Sequence, residues 1–314
     1  MITIIGSGMA GLLAGNMLSR NAIRIIEAQK ELPNNHSAVL RFRSSVVSDV
    51  LGIPFKKVKL IKSYLPWKNR VADSLSYAHK CSGISRSDRS IITEEFAAER
   101  WIAPPDLIEQ MAQPLIGAIE FGKTFTDESI NTIDCSDPII STMPMPVLMK
   151  LLGYKDAPNF NYVGGANVHL RISDCDAYAS LYVPDPLYKF NRASITGDDL
   201  CVEYSFPSHL PDNQIEWLDK NKYSEAYDAA QLFGFHRSRI QSISLSAQRY
   251  AKIQPIDENA RKAFIAWATD NFNIFSLGRF ATWRPGLLLD DLVHDVRLVQ
   301  KWINSDRYSM KFHR

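Results

Sequence analysis

The chain has 314 residues, 46% of them hydrophobic and 22% charged, which suits a folded globular protein and excludes an intrinsically disordered one. A formal net charge of +2 does not by itself call for a nucleic acid or a membrane surface. The four cysteines, Cys81, Cys135, Cys175 and Cys201, form no CxxC pair and share no ligand spacing with a histidine, so no metal is expected and reduced thiols in a cytoplasmic protein are.

Met1 to Leu18 is apolar enough to imitate a signal peptide, but it lacks a basic leading region, and its glycines are spaced for a phosphate-binding turn. No apolar run is long enough to predict a membrane span. Ile2, Ile4 and Ile5 predict a short strand buried in a parallel sheet. Gly6-Ser-Gly8-Met9-Ala10-Gly11 follows directly, then a helical stretch from Leu12 to Arg20. Gly6 permits a tight turn, Gly8 lets the backbone approach a pyrophosphate, and Gly11 lets helix pack on strand. The free N–H groups at the start of that helix, around Met9 and Ala10, point at the phosphates, which the helix dipole also favours. Asn21 is a candidate left-handed residue ending the helix. A second strand, Ile23 to Ile26, ends on Glu27, about 20 residues past Gly6, where an acid accepts hydrogen bonds from a ribose. The glycine motif alone does not separate FAD from NAD.

Further along, Asp106 to Ala112 reads as a helix entered through Pro104-Pro105. Val168, Leu170 and Ile172 alternate with polar residues, as do Leu200, Val202, Tyr204 and Phe206, the period of half-buried strands. Ser224 to Phe233 and Asn259 to Thr269 read as helices. Arginines and lysines recur near the expected cleft: Arg41, Arg43, Arg86, Arg89, Arg100, Arg192, Arg249 and Lys252. Residues of this kind recognise phosphate or carboxylate, although most surface cations are simply solvated. His36, His169 and His236 form no triad or metal pattern.

Residues 273–299 read as a strand (Ile274 to Leu277), a Gly278-Arg279 turn, a loop and a helix. This segment resembles the flavin-closing C-terminus of the amine oxidase, protoporphyrinogen oxidase and UDP-galactopyranose mutase superfamily. Asp137 to Pro146 resembles that family's returning strand, and Tyr188 to Ser194 with Cys201 to Pro207 resembles its substrate-domain sheet. The resemblance implies an α/β fold, with a Rossmann-like FAD-binding domain and an interleaved substrate domain of antiparallel sheet and helices. The implied FAD domain takes residues 1–50, 100–155 and 255–314, and the substrate domain takes 51–99 and 156–254.

The same resemblance implies FAD as cofactor, held by Gly6, Gly8, Met9, Ala10, Gly11, Glu27, Arg43, Gly278, Arg279, Leu289 and Asp290. Arg279 and Trp283 would frame the substrate side of the flavin, and Lys252 could hold a water at N5 as lysines do in amine oxidases. Arg192, Arg249 and Tyr250 would face an anionic small-molecule or nucleotide-like substrate. The implied reaction is oxidation of a C–H beside nitrogen. A phosphorylated nucleotide or a modified base in DNA is a further candidate substrate. Two alternatives stand beside it: mutase chemistry with reduced FAD on a nucleotide sugar, and a non-catalytic flavin-binding protein. Mutases carry tyrosines ahead of the acid that contact the substrate diphosphate, whereas this chain has Arg284-Pro285-Gly286-Leu287.

Overall fold

In the computed structural model, which describes residues 1–32, 40–85, 94–126, 128–129, 137–206 and 212–305, strands and helices divide between two sheets. The first half of the chain gives β1 (Ile2–Ile5), α1 (Met9–Leu18), β2 (Ile23–Glu27), β3 (Arg41–Phe42), α2 (Val46–Leu51), β4 (Lys56–Tyr64), α3 (Arg70–Ser82), β5 (Phe96–Ile102), α4 (Leu107–Ala112), β6 (Ile119–Phe121), β7 (Ile139–Ser141) and α5 (Met145–Leu151). The second half gives β8 (Tyr162–Ile172), β9 (Ala177–Tyr182), β10 (Arg192–Gly197), β11 (Asp199–Phe206), α6 (Asp212–Leu232), β12 (Ile240–Ile253), α7 (Glu258–Phe272), β13 (Ile274–Ser276) and α8 (Leu289–Ile303).

The first sheet is parallel, in the order β13-β7-β1-β2-β6. Its strands are short apolar runs because both faces are covered, as parallel sheets require. Ile2, Ile4, Ile25 and Ile140 point towards α1, α2, α4 and α8, where Leu12, Leu13, Met111 and Val296 meet them. Ile5, Ile26 and Ile139 point the other way, onto Leu148 of α5 and Phe264 of α7. Adjacent residues of one strand thus serve opposite cores.

The second sheet has the order β12-β8-β11-β10-β9-β4-β5-β3, antiparallel at every step except β4 beside β9. Leu200, Val202 and Tyr204 of β11, with Val168 and Leu170 of β8, pack against Leu218, Ala226 and Ala229 of α6. Period-two alternation then sends Cys201, Glu203 and Ser205 to the opposite face. This architecture is a mixed α/β fold with one parallel and one largely antiparallel sheet. β3 lies within residues 1–50 but hydrogen-bonds to β5 in the second sheet.

Two local expectations need correction. Asn21 is absent from the left-handed residues, which are Asp174, Asn273 and Trp283 besides glycines. Its side chain instead donates to the Leu18 carbonyl, so the helix end is satisfied by a side-chain amide. Helix α6 begins at Asp212 rather than Ser224. Its first turns are rich in Asp, Asn, Glu and Lys, which hides the apolar stripe carried by Leu218. Among the described residues no helix is long and apolar enough to cross a membrane.

Candidate active site

The glycine turn between β1 and α1 is shaped by three different constraints. Gly6 has φ +96°, and an added Cβ would lie 2.4 Å from Thr142 Oγ1. At Gly11 a Cβ would lie 1.9 Å from the Gly6 carbonyl oxygen, so helix and strand meet there only through a missing side chain. Gly8 differs from both. Its φ is −67° and its ψ 173°, an ordinary extended conformation, and a Cβ there would meet nothing within 4 Å. Among the described residues nothing requires glycine at that position. Gly8 is the N-cap of α1 and offers no side-chain cap to the helix N–H groups.

Glu27, half-buried at the end of β2, points back at the same turn. Its Oε2 accepts from the Ser7 backbone N–H at 2.6 Å and the Ser7 hydroxyl at 2.8 Å, and its Oε1 accepts from the Gln29 N–H at 2.8 Å. The two chain ends then meet. Gly278, with φ +96°, is so close to α1 that a Cβ would lie 2.9 Å from the Ala10 Cβ. Asp290, in the first turn of α8, accepts from the backbone N–H of Arg43 at 3.1 Å and from both Ser44 N–H and Oγ at 3.0 Å. Gly6, Gly8, Met9, Ala10, Gly11, Gly278 and Asp290 therefore line or brace one contiguous region, with Leu289 opening α8 beside Asp290. The open space at Gly8 and the uncapped helix start fit a diphosphate, and the carboxylate of Glu27 beside them fits a ribose.

Arg279 follows Gly278 and is half-buried, its guanidinium carbon 5.9 Å from the Phe280 ring centroid. Trp283 sits differently from the expectation that it frames a substrate. It is 1% exposed, holds φ +46°, donates its indole N–H to the Gln254 carbonyl at 2.9 Å, and packs edge-on against Phe160. The loop turns the indole into the core cluster of α5 and α7 because a large aromatic gains most from burial there. Tyr250, half-buried, is its neighbour and also packs edge-on against Tyr162, with ring centroids 4.5 Å apart. Arg284 is paired with Asp295 of α8 and contacts Thr282 Oγ1 at 3.2 Å.

The second sheet contributes a polar floor. Cross-strand register aligns Ser246, Asn167, Glu203, Arg192, Tyr182 and Tyr64 in one row, and Ser244, His169, Cys201, Ser194, Ser180 and Lys62 in the next. Arg192 forms a two-pronged ion pair with Glu203, and its other side faces the Tyr182 ring at 5.9 Å. Burial pushes the Glu203 carboxyl up, but the Arg192 charge and hydrogen bonds outweigh it and hold its pKa below the usual value. Lys252 donates to Ser205 Oγ at 2.5 Å, beside a bulge in β12. Arg41 reaches Thr196 Oγ1, Ser180 Oγ and the Ala179 and Ile195 carbonyls. Burial, then the nearby Arg192, lowers its pKa to about 10. The side chain of Arg249 lies outside the described residues, as do Arg86, Arg89 and His36.

No family model matches the sequence, and no curated protein matches it. Solved structures do match in shape. A reduced UDP-galactopyranose mutase superposes with a TM-score of 0.70 at 13% identity, covering 98% of this chain and 95% of that one. A protein assigned as a protoporphyrinogen oxidase, from Exiguobacterium, gives 0.60 at 11% identity over 96% and 98% of the two chains. A mutant of a flavin-dependent brominase gives 0.54 at 12% identity over 99% and 82%. The fold is that of the flavoprotein oxidoreductases.

Within this flavoprotein fold, several residues of the site were not singled out by sequence. Glu203, Lys62, Ser180 and Ser194 gained their meaning only from cross-strand register. The alternation in β11 was a usable signal, because it put Cys201, Glu203 and Ser205 on one face. What it did not carry was whether that face met solvent or a cleft.

Proposed function

We propose that this chain binds FAD between the glycine turn and the Gly278-Arg279 turn, and oxidises a C–H bond beside nitrogen in an anionic small molecule. The observation that carries the reading is Gly8, a glycine that no contact within the protein explains, at an uncapped helix start touching the Gly278 turn. In this reading Met9, Ala10 and Gly11 present N–H groups to the diphosphate, and Glu27 accepts from the ribose. Asp290 holds the Arg43-Ser44 backbone in place, so that Arg43 and the start of α8 at Leu289 border the groove. Residues 1–50, 100–155 and 255–314 then make the FAD domain, and 51–99 with 156–254 the substrate domain.

Bound there, the flavin supplies hydride acceptance, chemistry that no side chain offers. The chain's own residues orient the substrate. Arg279 and Tyr250 form one wall and the Arg192–Glu203 row forms the floor. Lys252, fixed by Ser205, presents an ammonium that can hold a water or a substrate lone pair. Trp283 supports the wall from behind by filling the core under Tyr250.

The mutase alternative asks the loop after Arg279 to grip a diphosphate. Here Pro285 has no N–H and Gly286 no side chain, while Arg284 is already held by Asp295. UDP-galactose is therefore expected to remain pyranose even with dithionite-reduced protein. Under anaerobic conditions a panel of amines and amino acids, free and phosphorylated, should include one that bleaches the bound flavin. Formation of the furanose, dependent on reduced flavin, would overturn the assignment of net redox chemistry.

A further inference from the structure

The polar floor carries more positive charge than its own carboxylates answer. Register places Lys62 of β4 directly opposite Ser180 of β9, and Arg41 Nη1 donates to that Ser180 hydroxyl at 2.6 Å. The Arg41 guanidinium thus rests against the residue whose backbone pairs with Lys62. Arg100 is on the same face of neighbouring β5, opposite Val58, and among the described residues its side chain donates only to the Glu99 carbonyl. Arg43 enters from the β3–α2 connection, beside the start of α8.

The carboxylates on this floor are committed elsewhere. Glu203 pairs with Arg192, and Asp199 with His169. Among the described residues no ion pair involves Arg41, Arg43, Lys62 or Arg100, and Arg41 spends its donors on neutral oxygens. The Lys62 ammonium has the Phe96 ring at 5.4 Å instead of an acid. Burial lowers the Lys62 pKa first, and the charges of Arg100, Arg192, Arg41 and Arg43 lower it further, so one lysine feels four guanidiniums together.

Collecting unpaired cations on one face of a sheet opposes folding unless a ligand neutralises them. One carboxylate would leave most of that charge unmatched. A phosphate matches it better, with up to two charges and three acceptor oxygens suited to guanidinium forks. We infer that Lys62, Arg100 and Arg43 form a phosphate-binding subsite, so that the substrate oxidised at the flavin carries a phosphate group held on the sheet. The inference rests on the flavoprotein reading for the oxidation, but not for the binding. A phosphate held there would anchor one end of the substrate and leave its other end for the flavin.

The test is calorimetric titration of the FAD-loaded protein with inorganic phosphate, pyrophosphate, thymidine monophosphate and a short single-stranded oligonucleotide. Pyrimidine ligands are used because purine nucleotides could enter the ADP groove. At least one phosphate-bearing probe should bind, and Lys62→Met combined with Arg100→Met should weaken it at least tenfold while flavin content stays unchanged. Preference for the mononucleotide assigns the phosphate to a free ester, and preference for the oligonucleotide assigns it to a nucleic-acid backbone. Both outcomes uphold the subsite. Flavin-loaded protein that binds none of the probes, or variants that bind as well as the parent, would overturn it. Protein that holds no flavin yet binds phosphate through Lys62 and Arg100 would sink the redox reading and leave the subsite standing. Circular dichroism of the variants separates lost binding from lost folding, and Lys62→Arg should restore binding in the single-site background.

Discussion

Gly8→Val is expected to give a folded protein that purifies without flavin. The backbone at Gly8 already lies in a region open to any residue, and the space around its missing Cβ is empty. The cost to the protein alone should be about 1 kcal/mol, that of a poorer N-cap. A valine side chain would instead fill the space where a pyrophosphate must come close to the α1 N–H groups. Gly11→Ala should behave in the opposite manner. Its Cβ would be driven to 1.9 Å from the Gly6 carbonyl, a backbone atom that cannot rotate away. Overpacking of that kind costs about 3 kcal/mol or more, a large share of a typical domain's stability. Urea unfolding of the two apoproteins, beside their flavin content, distinguishes the cases. Equal destabilisation in both variants would mean that Gly8 serves the fold rather than a ligand.

Glu203→Gln should be the most damaging single change on the polar floor. It removes the one carboxylate that Arg192 grips among the described residues and leaves a guanidinium among Arg41, Lys62 and Lys252. Breaking a fully buried pair costs about 3–5 kcal/mol, and partial exposure of Arg192 brings the expected loss to about 2–3 kcal/mol. The sign with pH follows from the lowered Glu203 pKa. The carboxylate stabilises the fold at pH values above its unfolded pKa, and that contribution is lost as pH falls through the lower folded value. The stability gap between parent and variant should therefore close in acid. Arg192→Met with Glu203→Leu should recover much of the loss, because both charges leave together. Chemical denaturation from pH 7 downwards checks each part. A gap that widens in acid would contradict the assignment of the pair.

The ends of the chain were the legible part of this protein. Isoleucine runs, glycine spacing and the acid at Glu27 are local signals, and the parallel strands β1 and β2 with α1 between them lie where those signals fall. The meeting of Gly278 with Ala10 was readable only through family resemblance, since 268 positions separate them in the sequence. Trp283 misled because an aromatic residue beside a conspicuous arginine has the same local pattern whether it faces a ligand or a core. Its left-handed backbone, which rotates the indole inward, has no signature in a tryptophan. Arg41 was legible only as one of several cations near a cleft. Its partners were not, because β3 delivers it to β9 and β10 more than 130 positions away. Strand order in the second sheet decides such contacts, and alternation alone does not contain it.

FAD lying across the glycine turn and the Gly278 turn would be seen first in the release of the cofactor. The purified protein should be yellow, and denaturation should free a flavin that co-migrates with FAD rather than FMN, in close to one equivalent per chain. A correctly folded protein that is colourless, and that takes up no FAD on reconstitution, would rule out a flavin site there.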